Sequence, residues 1–162
     1  MGEVLFKSFP SFDVIVFREH LLRAANESSE RKACLDLVND LVRQFPHSSQ
    51  FRCLKSDLTA IENGRTKEDQ QAYLSALELD PLNAYAYESL GHISNTEEEL
   101  AESESWFRKS IAARQEVNAY IGLIDVLHQQ GNRIEAQSVA DELDSYLAAQ
   151  TVKADEARQK LN

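Results

Sequence analysis

The chain repeats itself at a step of about 34 residues. Tyr87, Leu90 and Gly91 are followed 33 positions later by Tyr120, Leu123 and Ile124, and Cys34 precedes Ala136 by 102 positions. Phe45-Pro46 and Asp80-Pro81 lie 35 apart, and each closes an apolar run of helical spacing. Gly64 and Gly131 stand where the first helix of a pair should end, since glycine takes the left-handed conformation without steric penalty. A helix pair that cannot cover its own apolar face must stack on a copy of itself, so this period implies an array of helical hairpins.

Four hairpins account for the chain. Their helices are expected at 11–25 and 29–45, at 49–63 and 67–79, at 84–93 and 97–113, and at 117–130 and 133–149. The second helices carry apolar residues at helical spacing: Cys34, Leu37, Val38 and Leu41 in one, Val139, Ala140 and Leu143 in another. Thr96 with Glu99 reads as a capping box at a helix start, and Thr66 with Asp69 as a weaker version of it. Valine and isoleucine nowhere alternate with polar residues over a strand's length, and five glycines and three prolines punctuate the chain sparsely. The expected fold is all-α, a right-handed superhelical stack of about four antiparallel helix-turn-helix repeats. It forms one domain over 1–162, with repeats near 11–48, 49–83, 84–116 and 117–149, a cap segment at 1–10 and a polar extension at 150–162.

Charge narrows the partners. A formal net charge of −10 repels phosphate backbones and anionic lipid heads, so nucleic acid and membrane surfaces are poor partners. The first residues do not form a signal peptide, and no apolar run is long enough to span a bilayer, which points to the cytoplasm. Cys34 and Cys53 lack CxxC spacing and a neighbouring histidine, so reduced, buried thiols are expected. His20, His47, His92 and His128 lie far apart, with no HExxH pair. No glycine-rich loop could cradle a phosphate. Ser29 and Lys32 match S-x-x-K, but Ser29 is better explained as a helix cap. These observations give no catalytic residues, no cofactor and no metal, and the chain is not expected to be an enzyme.

The third hairpin resembles the tetratricopeptide repeat. Tyr87 stands for its first aromatic, Leu90-Gly91 for its Leu-Gly pair, Ser103 for its small residue and Phe107 for its bulky one. The fourth offers Tyr120, Leu123, Leu127, Ala136 and Ala140, and Leu77 to Pro81 matches the repeat-to-repeat junction, with Asn83 placed to cap the helix that follows. Ser94 departs from the pattern where an aromatic is usual, and the third hairpin lacks its turn glycine.

The resemblance implies an interaction module whose concave face, lined by the first helices, holds a polypeptide. By family register the exposed concave positions are Tyr85, Glu88, His92, Asn118, Ile121, Asp125 and Gln129. A carboxylate clamp would have only Lys55 and Arg23 to work with, so a basic or amphipathic segment is the expected ligand. Phe51, Leu54, Leu58 and Ile61 would by the same register face the groove, and they are either core or an apolar floor for the ligand. Phe6, Phe9, Phe12 and Phe17 crowd the first 17 residues, as an intramolecular cap or as a homodimer contact in a self-associating structural protein.

Overall fold

The computed structural model describes residues 14–27, 29–64 and 66–159. These contain eight α-helices and no strand: α1 Val14–Asn26, α2 Arg31–Gln44, α3 Ser49–Asn63, α4 Lys67–Leu79, α5 Ala84–Thr96, α6 Leu100–Ala113, α7 Val117–Gln129 and α8 Arg133–Gln159. The chain is therefore an all-α array of helical hairpins. It divides between Ala86 and Tyr87 into two compact units. Phe6, Phe9 and Phe12, the whole of the 1–10 segment, the Ser11 helix start and residues 160–162 of the polar extension lie outside the described residues.

In the first unit, α1 packs on α2 and α3, while α3 packs on α2 and α4, so α1 and α2 are covered by each other and by the next repeat. Leu21, Ala25, Cys34, Val38, Leu54 and Leu58 form the core, flanked by Phe17, Leu22, Val42 and Ile61. Phe51, Leu54 and Leu58 are buried and belong to the core, while Ile61 at the end of the stripe is half-buried. Phe17 belongs to the same core.

Capping fixes the helix starts. The Ser48 hydroxyl accepts from the Phe51 N–H at 3.4 Å, opening α3. At α4 the box is complete: Thr66 Oγ1 accepts from the Asp69 N–H, and Asp69 Oδ2 accepts from the Thr66 N–H at 2.7 Å. Asn83 Oδ1 accepts from the Ala86 N–H at 3.0 Å, so α5 starts just past the Asp80-Pro81 break. Behind it, Asn83 Nδ2 donates to Ser49 Oγ at 3.0 Å, tying the start of α5 to the start of α3. Ser29 is not a cap. Helix α2 begins at Arg31 with Glu30 in the cap position, two residues after the expected start at Ser29.

In the second unit, the Phe107 ring of α6 fills the space between α5 and α7. A Cβ added at Gly91 would meet that ring at 2.9 Å, and one added at Gly122 would overlap it more severely. Ser103 Oγ reaches the Gly91 carbonyl at 2.7 Å, which only a close helix approach allows. Around Phe107 lie Ala119, Tyr120, Leu123, Val126, Leu127, Ala136 and Val139.

The expected capping box at Thr96 is not formed. Helix α5 runs through Thr96, whose hydroxyl donates back to the Ile93 carbonyl at 2.7 Å, and α6 starts at Leu100 with no side-chain cap on Glu99. The turn is instead made by backbone. Glu98 takes φ 61°, its N–H donates to the Asn95 carbonyl, and the Glu99 N–H donates to the Ser94 carbonyl at 2.9 Å. This is the bond pair that Gly131, at φ 78°, makes at the end of α7 to His128 and Leu127 through its own N–H and that of Asn132. Glutamate thus occupies the turn position that glycine holds in the next hairpin. At the far end α8 continues past the expected Ala149 as helix to Gln159.

Two substitutions test these placements. Gly122→Ala should destabilise the protein by about 1–3 kcal/mol through overpacking, although alanine at an open helical position gains about 1 kcal/mol over glycine. Unchanged thermal denaturation would refute the close approach. Glu98→Gly should raise stability by about 0.5–1 kcal/mol, since the left-handed conformation costs any residue with a Cβ about 1–2 kcal/mol and glycine offsets part of that through its freer unfolded state. A lower urea midpoint would contradict it.

Candidate partner-binding surface

The first helices of the hairpins carry the residues expected to meet a partner. On α7, Asn118, Ile121, Asp125 and Gln129 recur at spacings of three and four, so they share one face, and all are exposed. Ile121 is 54% exposed, at the middle of a helix whose other side is core. Next to it, a polar ladder joins α7 to α5: Asn95 Nδ2 donates to Asp125 Oδ2 at 3.3 Å, and Gln129 Nε2 donates to both Asn95 Oδ1 (3.1 Å) and Asp125 Oδ2 (2.9 Å). His92, one turn before Asn95, is exposed and meets the Phe107 ring edge-on at 5.0 Å between centroids. The structure therefore brings Asp125 and Gln129 into one network, with Asn95 as a member that the repeat pattern did not single out.

Glu88 is not part of this surface. It shares a face of α5 with Ala84 and Gly91, four residues before and three after, and that face is buried; Glu88 itself is only 6% exposed. A register drawn from the repeat pattern misplaces it because one position along a helix is a turn of about 100°.

Tyr85 belongs to a second arrangement, within the first unit. Its hydroxyl donates to Asp57 Oδ2 at 2.5 Å, and the Tyr73 hydroxyl donates to Asp57 Oδ1 at 2.5 Å. The Arg18 guanidinium lies over the Tyr85 ring, 3.6 Å from its centroid. Burial and then the Asp57 charge push the Tyr85 hydroxyl well above the usual tyrosine range, so it stays protonated and donating. Beside it opens a cavity of about 320 Å³ lined by Leu22, Asn26, Asp57, Ala60, Ile61 and Tyr85, from α1, α3 and the first turn of α5. Asp57 and Tyr73 escaped sequence reasoning. The available signal was a carboxylate set between Leu54, Leu58 and Ile61 in an otherwise apolar stripe.

Lys55 lies elsewhere, lining a cleft of about 540 Å³ between α2, α3 and α4 with Val42, Arg52 and Ala72. Arg23 is exposed on the last turn of α1. Among the described residues no cluster of histidine, cysteine, aspartate or glutamate could hold a metal ion, and no helix is long and apolar enough to cross a membrane. Both cysteines are buried free thiols. Burial, then Asp57, pushes Cys53 up to about 12, and burial, then Glu30, raises Cys34.

The array has solved counterparts. The chain is similar to the crystal structure of MamA, a tetratricopeptide-like protein, with a TM-score of 0.61 at 17% identity over 94% of this chain and 86% of that one. A mutant form of MamA matches with a TM-score of 0.55 at 15% identity, over 83% of this chain and 78% of that one. At such identities the likeness is one of fold: a tetratricopeptide-like helical repeat. No family model and no curated protein matches the chain.

The thiols give a direct check on the first unit's packing. Native protein at mildly alkaline pH should react slowly with a thiol reagent at both cysteines, Cys53 more slowly than Cys34, with mass spectrometry reading the sites. Rapid labelling of Cys53 would mean that the Asn83–Cys53 side of α3 is open.

Proposed function

We propose that this protein is a non-catalytic, cytoplasmic interaction module of the tetratricopeptide type, acting as a single domain, which holds a basic or amphipathic polypeptide segment on the face of its first helices. The residues assigned to contact in the second unit are His92, Asn118, Ile121, Asp125 and Gln129; Tyr85 is assigned separately, in the first unit. The observation that carries this reading is Ile121, an exposed apolar side chain one turn from a carboxylate that Asn95 and Gln129 hold in place. An amphipathic segment would cover the isoleucine with its apolar side and set a cation against Asp125. The net charge of −10 favours cationic partners from a distance and raises their association rate.

Fluorescence anisotropy with a basic amphipathic peptide, and with its acidic counterpart, tests the reading. The basic peptide should bind and the acidic one should not. Ile121→Asp should weaken binding about tenfold or more, roughly 1.4 kcal/mol, at an unchanged melting temperature. Asp125→Lys should weaken it and flatten its salt dependence, because rim charges are screened over about 8 Å at physiological ionic strength. Ile134→Asp, at an 88% exposed site on α8, should leave binding as it was. Equal binding of both peptides, or full binding by Ile121→Asp, would overturn the proposal.

A further inference from the structure

The cavity of the first unit presents an aromatic face and a carboxylate side by side. Leu22 and Asn26 of α1 with Ala60 and Ile61 of α3 form most of its wall, and Tyr85 and Asp57 complete it. The Tyr85 ring is fixed from behind, because its hydroxyl is bonded to Asp57 and Asp57 is in turn held by Tyr73. A locked ring beside a buried carboxylate attracts a planar cation through its π face and through charge, and guanidinium suits both better than ammonium.

That position is filled by the chain itself. Arg18 lies one turn before Leu22 on the same face of α1, half-buried, with its guanidinium over the Tyr85 ring. Its charge favours the ionised forms of Tyr85 and of the nearby Cys53 against the stronger opposing effects of burial and Asp57. Arg18 is carried on a long, flexible stem at the rim, so it can leave for solvent without unfolding α1.

We propose that Tyr85, Asp57 and the adjoining cavity form a seat for an arginine side chain, that Arg18 fills the seat in the free protein, and that an arginine of a bound basic segment displaces it. The displacing segment rests on the reading of the protein as a module for basic polypeptides; the seat itself requires only a guanidinium. A partner arginine then binds with an apparent affinity lowered by the fraction of molecules in which Arg18 has left. Arg18 is in this sense an internal competitor that keeps weakly basic surfaces out.

The test uses N-acetyl-arginine amide as probe and the Tyr85 ring signals in NMR as readout. In Arg18→Met, which keeps the aliphatic stem, the probe should shift those signals saturably, at a concentration about threefold to thirtyfold below that needed for the wild type. N-acetyl-lysine amide should bind more weakly, and Tyr85→Leu placed on the Arg18→Met background should remove the shift that the neighbouring Tyr73 ring, bonded to the same Asp57, shows in Arg18→Met. If Arg18→Met lowers the melting temperature, Arg18→Gln is read in the same way. Identical titrations in wild type and variant, an unmoved Tyr85, or equal response to the lysine probe would each overturn the seat. The basic peptide separates the two readings. A seat that takes the arginine probe in a protein that binds no basic peptide sinks the polypeptide reading and leaves the seat; peptide binding that Arg18→Met does not alter, with Tyr85 unmoved, sinks the seat alone.

Discussion

Close approach between helices, made possible by small side chains at the crossings, is the constraint on which the rest of this protein depends. Ala25, Cys53, Ala76, Ser103 and Ala136 are almost completely buried, and Gly91 and Gly122 join them. Phe107 sits against the two glycines, and Tyr73 and Tyr120 are the other largest fully buried side chains. Within each unit, small residues at the crossings let neighbouring helices pack at interior density, which a helix pair of this length could not achieve alone. Phe107 is the extreme case, one ring seated on two glycines of two different helices.

The parts of the fold that depend on short-range chemistry were legible in the sequence. Asn83 after Asp80-Pro81, Thr66 before Asp69, and glycine at 131 are local signals, and each does in the structure what its chemistry requires. Gly91 announced itself through the Leu-Gly pair, while Gly122 did not, because the repeat offset pairs Gly91 with Ile124 and Gly122 with Ser89. The box expected between Thr96 and Glu99 fails for an instructive reason. Three consecutive glutamates after a threonine resemble a helix start, but here the helix before them is one turn longer, and the backbone bonds of its ending outrank the side-chain cap.

The candidate surface was legible only as a stripe. Helical spacing placed Ile121, Asp125 and Gln129 together, since they lie on one helix. Which α5 residue faces them depends on the rotation of α5, and that rotation is set by Gly91 against Phe107. The result turns Asn95 toward Asp125 and Glu88 inward. Contacts across 28 residues or more, such as that between Asp57 and Tyr85, leave no periodic trace and become visible only in three dimensions.

The carboxylate of Asp57 has a consequence for how the first unit comes apart. Through its two oxygens it holds α4 by Tyr73 and the first turn of α5 by Tyr85, while its own helix α3 packs on α1 and α2. In a linear array of repeats, stability divides into the intrinsic tendency of each repeat and the coupling between neighbours, and weak coupling lets ends peel away singly. A charged group shared by two hydroxyls inside the protein strengthens the coupling at that junction, because opening either side deprives a buried charge of a donor. The entry of α5 therefore melts with α3 and α4 as one cooperative block.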